Sequence, residues 1–74
     1  MTKIIPLKSR EVISKLKKIG YLVDHISGSH YIMLDPKTRQ RIPVPFHNKD
    51  VKLGTLRSII NQTGLSIEEF FKIK

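Results

Sequence analysis

The residues of this chain best suited to proton transfer are its three histidines, and one of them directly follows a glycine turn. His30 comes after Ser27, Gly28 and Ser29 and precedes an apolar run. A histidine at the start of a strand beside a tight turn is held in place yet still faces solvent, as a general acid or base requires. Histidine is also the side chain that ordinarily changes charge between about pH 5 and 8. His30 is therefore the candidate catalytic residue, and a ring that merely packs on the sheet is the alternative.

The net charge indicates what such a histidine would act on. Fourteen Lys and Arg against six Asp and Glu give +8 in 74 residues. A field of this size attracts polyanions and speeds their encounter, and it is the usual footprint of a nucleic-acid-binding domain. An anionic membrane surface and an acidic protein rank second and third as partners. A basic surface that serves only solubility is the structural alternative.

RNA is a substrate that fits one histidine and many cations. It carries its own nucleophile, the 2′-hydroxyl, so cleavage requires a base near that group and positive charge at the phosphate. The six acidic residues are scattered, which argues against a two-metal nuclease site. The predicted reaction is a metal-independent and cofactor-independent transesterification that leaves a 2′,3′-cyclic phosphate.

Several side chains and amides are candidates to hold the RNA, and each also has a structural interpretation. Lys15 and Lys18 lie off the apolar stripe of the first predicted helix, where a solvated face is the alternative. His47 either orders its loop by a hydrogen bond or assists the chemistry. The remaining candidates for RNA binding are Gly28, Ser29, Lys49, Lys52 and Arg57.

Two amphipathic helices are predicted, one before and one after a strand-rich middle segment. Ser9 is the expected N-cap of the first helix, and Gly20 ends it. The second helix runs from about residue 53 to residue 63 and ends at Gly64, and a capping box at residues 66–69 opens a short last helix. The apolar positions at helical spacing are Val12, Ile13, Leu16 and Ile19 in the first helix and Leu56, Ile59 and Ile60 in the second.

Three antiparallel strands are predicted between these helices, at about residues 21–26, 30–35 and 40–44. Pro43 and Pro45 cannot donate to a ladder, so the third strand either lies at an edge of the sheet or has its proline positions facing outward. The second strand is apolar on both faces, and its pattern does not decide which face is buried. The residues of the third strand expected on the helix-covered face are Ile42, Val44 and Phe46.

The length predicts a single domain, residues 1–74. The order of the predicted elements indicates an α+β fold with its helices on one face of the sheet. The absence of cysteine means that the fold does not depend on an oxidising compartment. The sequence contains no apolar run typical of a signal peptide or a membrane span. We therefore expect a cytoplasmic protein with no membrane partner.

Four segments together resemble the HicA toxin family, in the right order and over nearly the whole chain: KSREVI from residue 8, GSH from residue 28, VPFH from residue 44 and LGTLRSI from residue 53. The resemblance implies a fold like that of double-stranded-RNA-binding domains and the activity of an mRNA interferase. It also implies that His30 is catalytic and that a HicB-like antitoxin neutralises the protein. The alternative is a non-catalytic RNA-binding module of the same fold.

Overall fold

The computed structural model describes residues 4–74, which form a helix, a three-stranded antiparallel sheet and two further helices. The first three residues of the predicted domain lie outside the described part of the chain. The predicted α+β order, with a short C-terminal helix, is confirmed. Among the described residues, no helix has the length and apolar character needed to cross a membrane. The elements are α1 (Ser9–Lys18), β1 (Leu22–Ser27), β2 (His30–Leu34), β3 (Arg41–Pro45), α2 (Leu53–Thr63) and α3 (Ile67–Phe71).

The start of α1 differs from the prediction in the role of Ser9. Lys8 is the N-cap, and its amide donates to Oε1 of Glu11 at 2.9 Å. Ser9 is the first helical residue and is almost fully buried, with its hydroxyl donating to the carbonyl oxygen of Pro45 at 2.6 Å. The prediction that Ser9 caps the helix is wrong, because its hydroxyl bonds to the end of β3 instead of to the first turn.

The end of α1 is as predicted at Gly20 and differs at Ile19. Gly20 has a φ of +107°, and its amide donates to the carbonyl of Lys17 while that of Tyr21 donates to Leu16. This pair of bonds is a Schellman motif, which requires a left-handed residue at this place. Ile19 is the C-cap and is 38% exposed, because the chain leaves the helical path there and the apolar stripe stops one turn earlier.

The sheet register decides the buried face of β2. Tyr31 pairs with Val44 and Met33 pairs with Ile42, so these four residues share the face that the helices cover. His30 and the half-buried Ile32 and Leu34 therefore point to the open face. β3 is an edge strand, which is one of the two arrangements that its prolines predicted.

Phe46 is less buried than predicted. It lies just beyond the end of β3, stacks on Tyr31 with ring centroids 4.7 Å apart, and remains 40% exposed. The helices cover Ile42 and Val44 completely, but their cover ends before this residue. The ring therefore belongs to the rim of the core.

The C-terminal helix closes the core and involves one of the predicted RNA-binding lysines. Phe70 is fully buried, and α3 begins with the predicted capping box between Ser66 and Glu69. The amide and hydroxyl of Ser66 hold the pKa of the Glu69 carboxyl below its usual range. Nζ of Lys15 donates to the carbonyl oxygens of Phe71 and Ile73, so this side chain ties α1 to the C-terminal segment.

Candidate functional site

A cleft of about 710 Å³ opens between β3, the loop that follows it and one side of α2. Its size falls in the range of small-molecule and nucleotide sites. It brings together His30 from the start of β2 and the loop residues that sequence analysis selected separately. The lining residues are His30, Pro43, Pro45, His47, Lys49, Asp50, Val51, Lys52, Gly54, Thr55, Ser58, Ile59 and Gln62.

His30 is held by the backbone on both sides and has an exposed side chain. It pairs with Ser27 of β1 and with Pro45 of β3. The preceding turn is tight because Gly28 has a φ of +57°, a conformation that side chains disfavour. The amide of Phe46 donates to the carbonyl of Ser29 at 2.7 Å, which carries the β2–β3 pairing beyond the strand end. The predicted placement of this histidine, fixed in backbone and open to solvent, is confirmed.

His47 lines the same cleft as His30. Its exposed side chain also lines a smaller pocket of about 120 Å³ formed with Lys8, Arg10 and Asn48. The backbone amide of His47 donates to Oγ of Ser9 at 3.3 Å. A hydrogen bond from His47 therefore orders this loop, as one interpretation of the sequence predicted. The backbone amide makes this bond, so the imidazole is left for other contacts.

The cleft also contains cationic groups. Lys49 and Lys52 both line it, and Lys52 is the N-cap of α2. In the described part of the chain, the first turn of α2 has neither a side-chain cap nor an acidic residue. Amides at a helix start carry partial positive charge and attract anions. Gly54 and Thr55 line the cleft at this place.

Asp50 is a cleft residue that sequence analysis missed. A backbone bridge joins it to Lys8, and the next amide, that of Val51, donates to the carbonyl of Leu7 at 2.8 Å. These bonds fold the loop back along the start of α1 and turn Asp50 into the cleft. No local pattern encodes this position, since it depends on pairing between segments about 40 residues apart.

Five predicted RNA-binding residues lie outside the cleft, among the residues that the structure describes. Lys15 is engaged with the C-terminal carbonyls, and Lys18 is exposed at the end of α1. Arg57 is exposed on α2, and Gly28 and Ser29 form the turn before His30. Their roles in RNA binding stay predictions. Within residues 4–74, no cluster of three or more His, Cys, Asp or Glu is arranged to hold a metal ion.

Comparison with protein families identifies the family of this chain. A family model described as the HicA toxin of bacterial toxin–antitoxin systems matches residues 9–65. This segment includes every residue that lines the cleft and ends before α3. No curated protein shows a significant match to the chain.

Proposed function

The chain belongs to the HicA toxin family of bacterial toxin–antitoxin systems, and we propose that it is an endoribonuclease that cleaves mRNA in the cleft containing His30. The observation that carries this proposal is that His30 lines the same cleft as Lys49 and Lys52. The backbone of His30 is fixed by strand pairing, and its side chain is exposed. Because the proposed substrate, mRNA, is found in the cytoplasm, we expect the protein to act there. No cofactor is needed, because RNA supplies the nucleophile.

The proposed reaction is an intramolecular transesterification. A ring nitrogen of His30 accepts the proton of a ribose 2′-hydroxyl, and the 2′-oxygen attacks the adjacent phosphorus. Lys49 and Lys52 hold the phosphate oxygens and stabilise the charge that grows on them. The bond between phosphorus and the 5′-oxygen breaks and the leaving oxygen takes up a proton, which gives a 2′,3′-cyclic phosphate on one fragment and a 5′-hydroxyl on the other.

Incubation of the purified protein with RNA in the presence of EDTA tests this function. We expect cleavage to persist, because proton transfer and charge stabilisation both come from side chains, and we expect the 3′ ends to be cyclic phosphates. Fragments would be separated by gel electrophoresis and their ends identified by mass spectrometry. Cleavage that EDTA abolishes would contradict the mechanism. RNA that binds without being cut would favour the non-catalytic binding module.

The family implies an antitoxin partner, and we propose that a HicB-like protein blocks the cleft directly. An acidic partner would be steered onto the surface of a chain with net charge +8. The open face of the sheet, which carries His30, also offers it apolar contacts, since Ile32 and Leu34 are only half-buried and Leu22 is 57% exposed. Inhibition would then be steric occlusion of the catalytic residue.

A competition experiment checks this mode of inhibition. Labelled RNA is bound to the His30→Ala protein, which cannot cut it, and the cognate antitoxin is titrated in. We expect the RNA to be displaced, because both ligands need the same surface, and we expect the substitution to leave antitoxin binding tight since it adds neither bulk nor charge. A stable ternary complex, with RNA still seated in the cleft, would contradict occlusion.

A further inference from the structure

We propose that His47 is a second catalytic residue, the general acid that protonates the leaving 5′-oxygen, so that the cleft holds an acid–base pair of histidines. This inference rests on the proposed ribonuclease function and deepens it. The sequence alone places His47 in a loop, where it either orders the loop or assists the chemistry. The register of the sheet assigns it a definite position relative to His30.

Continuation of the β2–β3 register past the end of β3 places His47 diagonal to His30, on the same face of the sheet. His30 pairs with Pro45, and the bond from the Phe46 amide to the Ser29 carbonyl continues the same register by one residue. Phe46 points to the face of Tyr31, on which it stacks, so the following residue returns to the face of Pro45 and His30. Diagonal partners in such a ladder lie about 7–8 Å apart. Both imidazoles therefore border the same part of the cleft.

Ser9 fixes the backbone that carries His47. Its hydroxyl donates to the carbonyl of Pro45 at 2.6 Å and accepts from the amide of His47 at 3.3 Å. The serine is 2% exposed and sits on the first turn of α1, so the clamp is anchored in the core. One buried hydroxyl thus holds both the carbonyl of Pro45, at the end of β3, and the amide of His47, in the loop that follows. Such fixed geometry is what a proton donor needs to meet a leaving group.

The spacing suits the two oxygens of one phosphodiester. A proton donor or acceptor must come within about 2.6–3.2 Å of the oxygen it serves. In the in-line reaction the attacking 2′-oxygen and the leaving 5′-oxygen stand on opposite sides of the phosphorus. Two imidazoles a diagonal apart can each reach one of these oxygens, while Lys49 and Lys52, which line the same cleft, neutralise the phosphate.

The proton and electron balance of the step is complete with these two residues. Neutral His30 takes the 2′-hydroxyl proton, and the 2′-oxygen forms a bond to phosphorus. The bond from phosphorus to the 5′-oxygen breaks, its electron pair stays on that oxygen, and protonated His47 supplies a proton to it. The products are a 2′,3′-cyclic phosphate and a 5′-hydroxyl, and both rings return to their starting states by proton exchange with water.

Histidine fits the acid role better than the other titratable cleft residues. Carboxylates are hydrogen-bond acceptors and serve proteins mainly as bases and metal ligands, so the carboxylate of Asp50 is a poor candidate for the acid. Lysine side chains are the usual partners of phosphate oxygens, which suits Lys49 and Lys52 to neutralising phosphate charge. The third histidine, His25, belongs to β1 and bonds to Asp24 away from the cleft.

The test compares natural RNA with RNA that carries a 5′-bridging phosphorothiolate at the scissile position. A thiolate leaves without a proton, so this substrate does not need a general acid. We expect His47→Ala to lower cleavage of natural RNA by about 10²–10⁴-fold and to cleave the phosphorothiolate at nearly the parental rate. We expect His30→Ala to be impaired on both substrates, because the 2′-hydroxyl still requires a base.

The pH dependence of kcat/KM gives a second readout that a purely structural role would not change. The parent should show a bell-shaped profile, rising as the base loses its proton and falling as the acid loses its own. His47→Ala should lose the falling limb and keep the rising one. Ser9→Ala, which releases the loop without removing a proton donor, should reduce the rate less and keep both limbs.

Other outcomes would overturn the proposal. Parental rates for His47→Ala on natural RNA would show that the residue is not needed. An equal loss on both substrates, with thermal unfolding unchanged, would make His47 a positioning or binding residue and not the acid. His47→Gln keeps the size of the side chain and repeats the comparison if the alanine variant is less stable. A parent that cleaves neither substrate would overturn the ribonuclease function itself, and the histidine pair with it.

Discussion

Replacement of His30 by alanine is expected to lower RNA cleavage by about 10²–10⁴-fold, the usual cost of losing a general base. The protein should stay folded, because the side chain is exposed and the backbone bonds of residue 30 to β3 do not depend on it. RNA affinity should change little, since the cations of the cleft remain. The measurements are the initial cleavage rate, the thermal unfolding midpoint and the dissociation constant for RNA.

His25→Ala is the matched control for this substitution. His25 is also an exposed histidine on the sheet, and it pairs with Ile32 on the face that His30 shares. It lies outside the cleft, with its Nδ1 2.7 Å from Oδ2 of Asp24. We expect the control to cleave at the parental rate. A folded His30→Ala protein that does the same would remove His30 from the mechanism and leave a binding module.

Reversal of the two cleft lysines, Lys49→Glu with Lys52→Glu, is expected to weaken RNA binding and to reduce its salt dependence. Each phosphate contact on single-stranded RNA contributes about 0.7 to the slope of log affinity against log salt concentration, so loss of two contacts should flatten the slope by about 1.4. The fold should tolerate the change, because both lysines are exposed and a glutamate at the N-cap of α2 faces the positive end of the helix. Fluorescence anisotropy at several salt concentrations measures the slope.

The variant Lys17→Glu with Lys18→Glu carries the same change in charge on the exposed end of α1. It tests the basic helix face that sequence analysis proposed, and it leaves Lys15 on the C-terminal carbonyls undisturbed. We expect a smaller change in slope than for the cleft pair. If this variant flattens the slope and the cleft pair does not, the RNA lies along α1 and the proposed phosphate site is wrong.

Local patterns in the sequence determined the elements and the exposure of His30. Helical spacing predicted the apolar faces of α1 and α2, and glycine predicted where each helix ends, because these demands involve only neighbouring residues. The glycine turn before His30 and the prolines of β3 predicted a histidine at a strand start and an edge strand beside it. Both features depend on single residues: glycine permits the positive φ of the turn, and proline has no amide to donate to a neighbouring strand.

Only the tertiary structure decided which of the candidate residues meet. Ser9 reads as a helix cap, yet its hydroxyl bonds to the end of β3, 36 residues away. Lys15 reads as a solvated or RNA-facing side chain, yet it holds the C-terminal carbonyls. The cleft exists because the loop after β3 pairs with the segment before α1, which brings Lys49 and Asp50 toward His30. Such pairings depend on the whole packed chain, and periodicity within one segment carries no record of them.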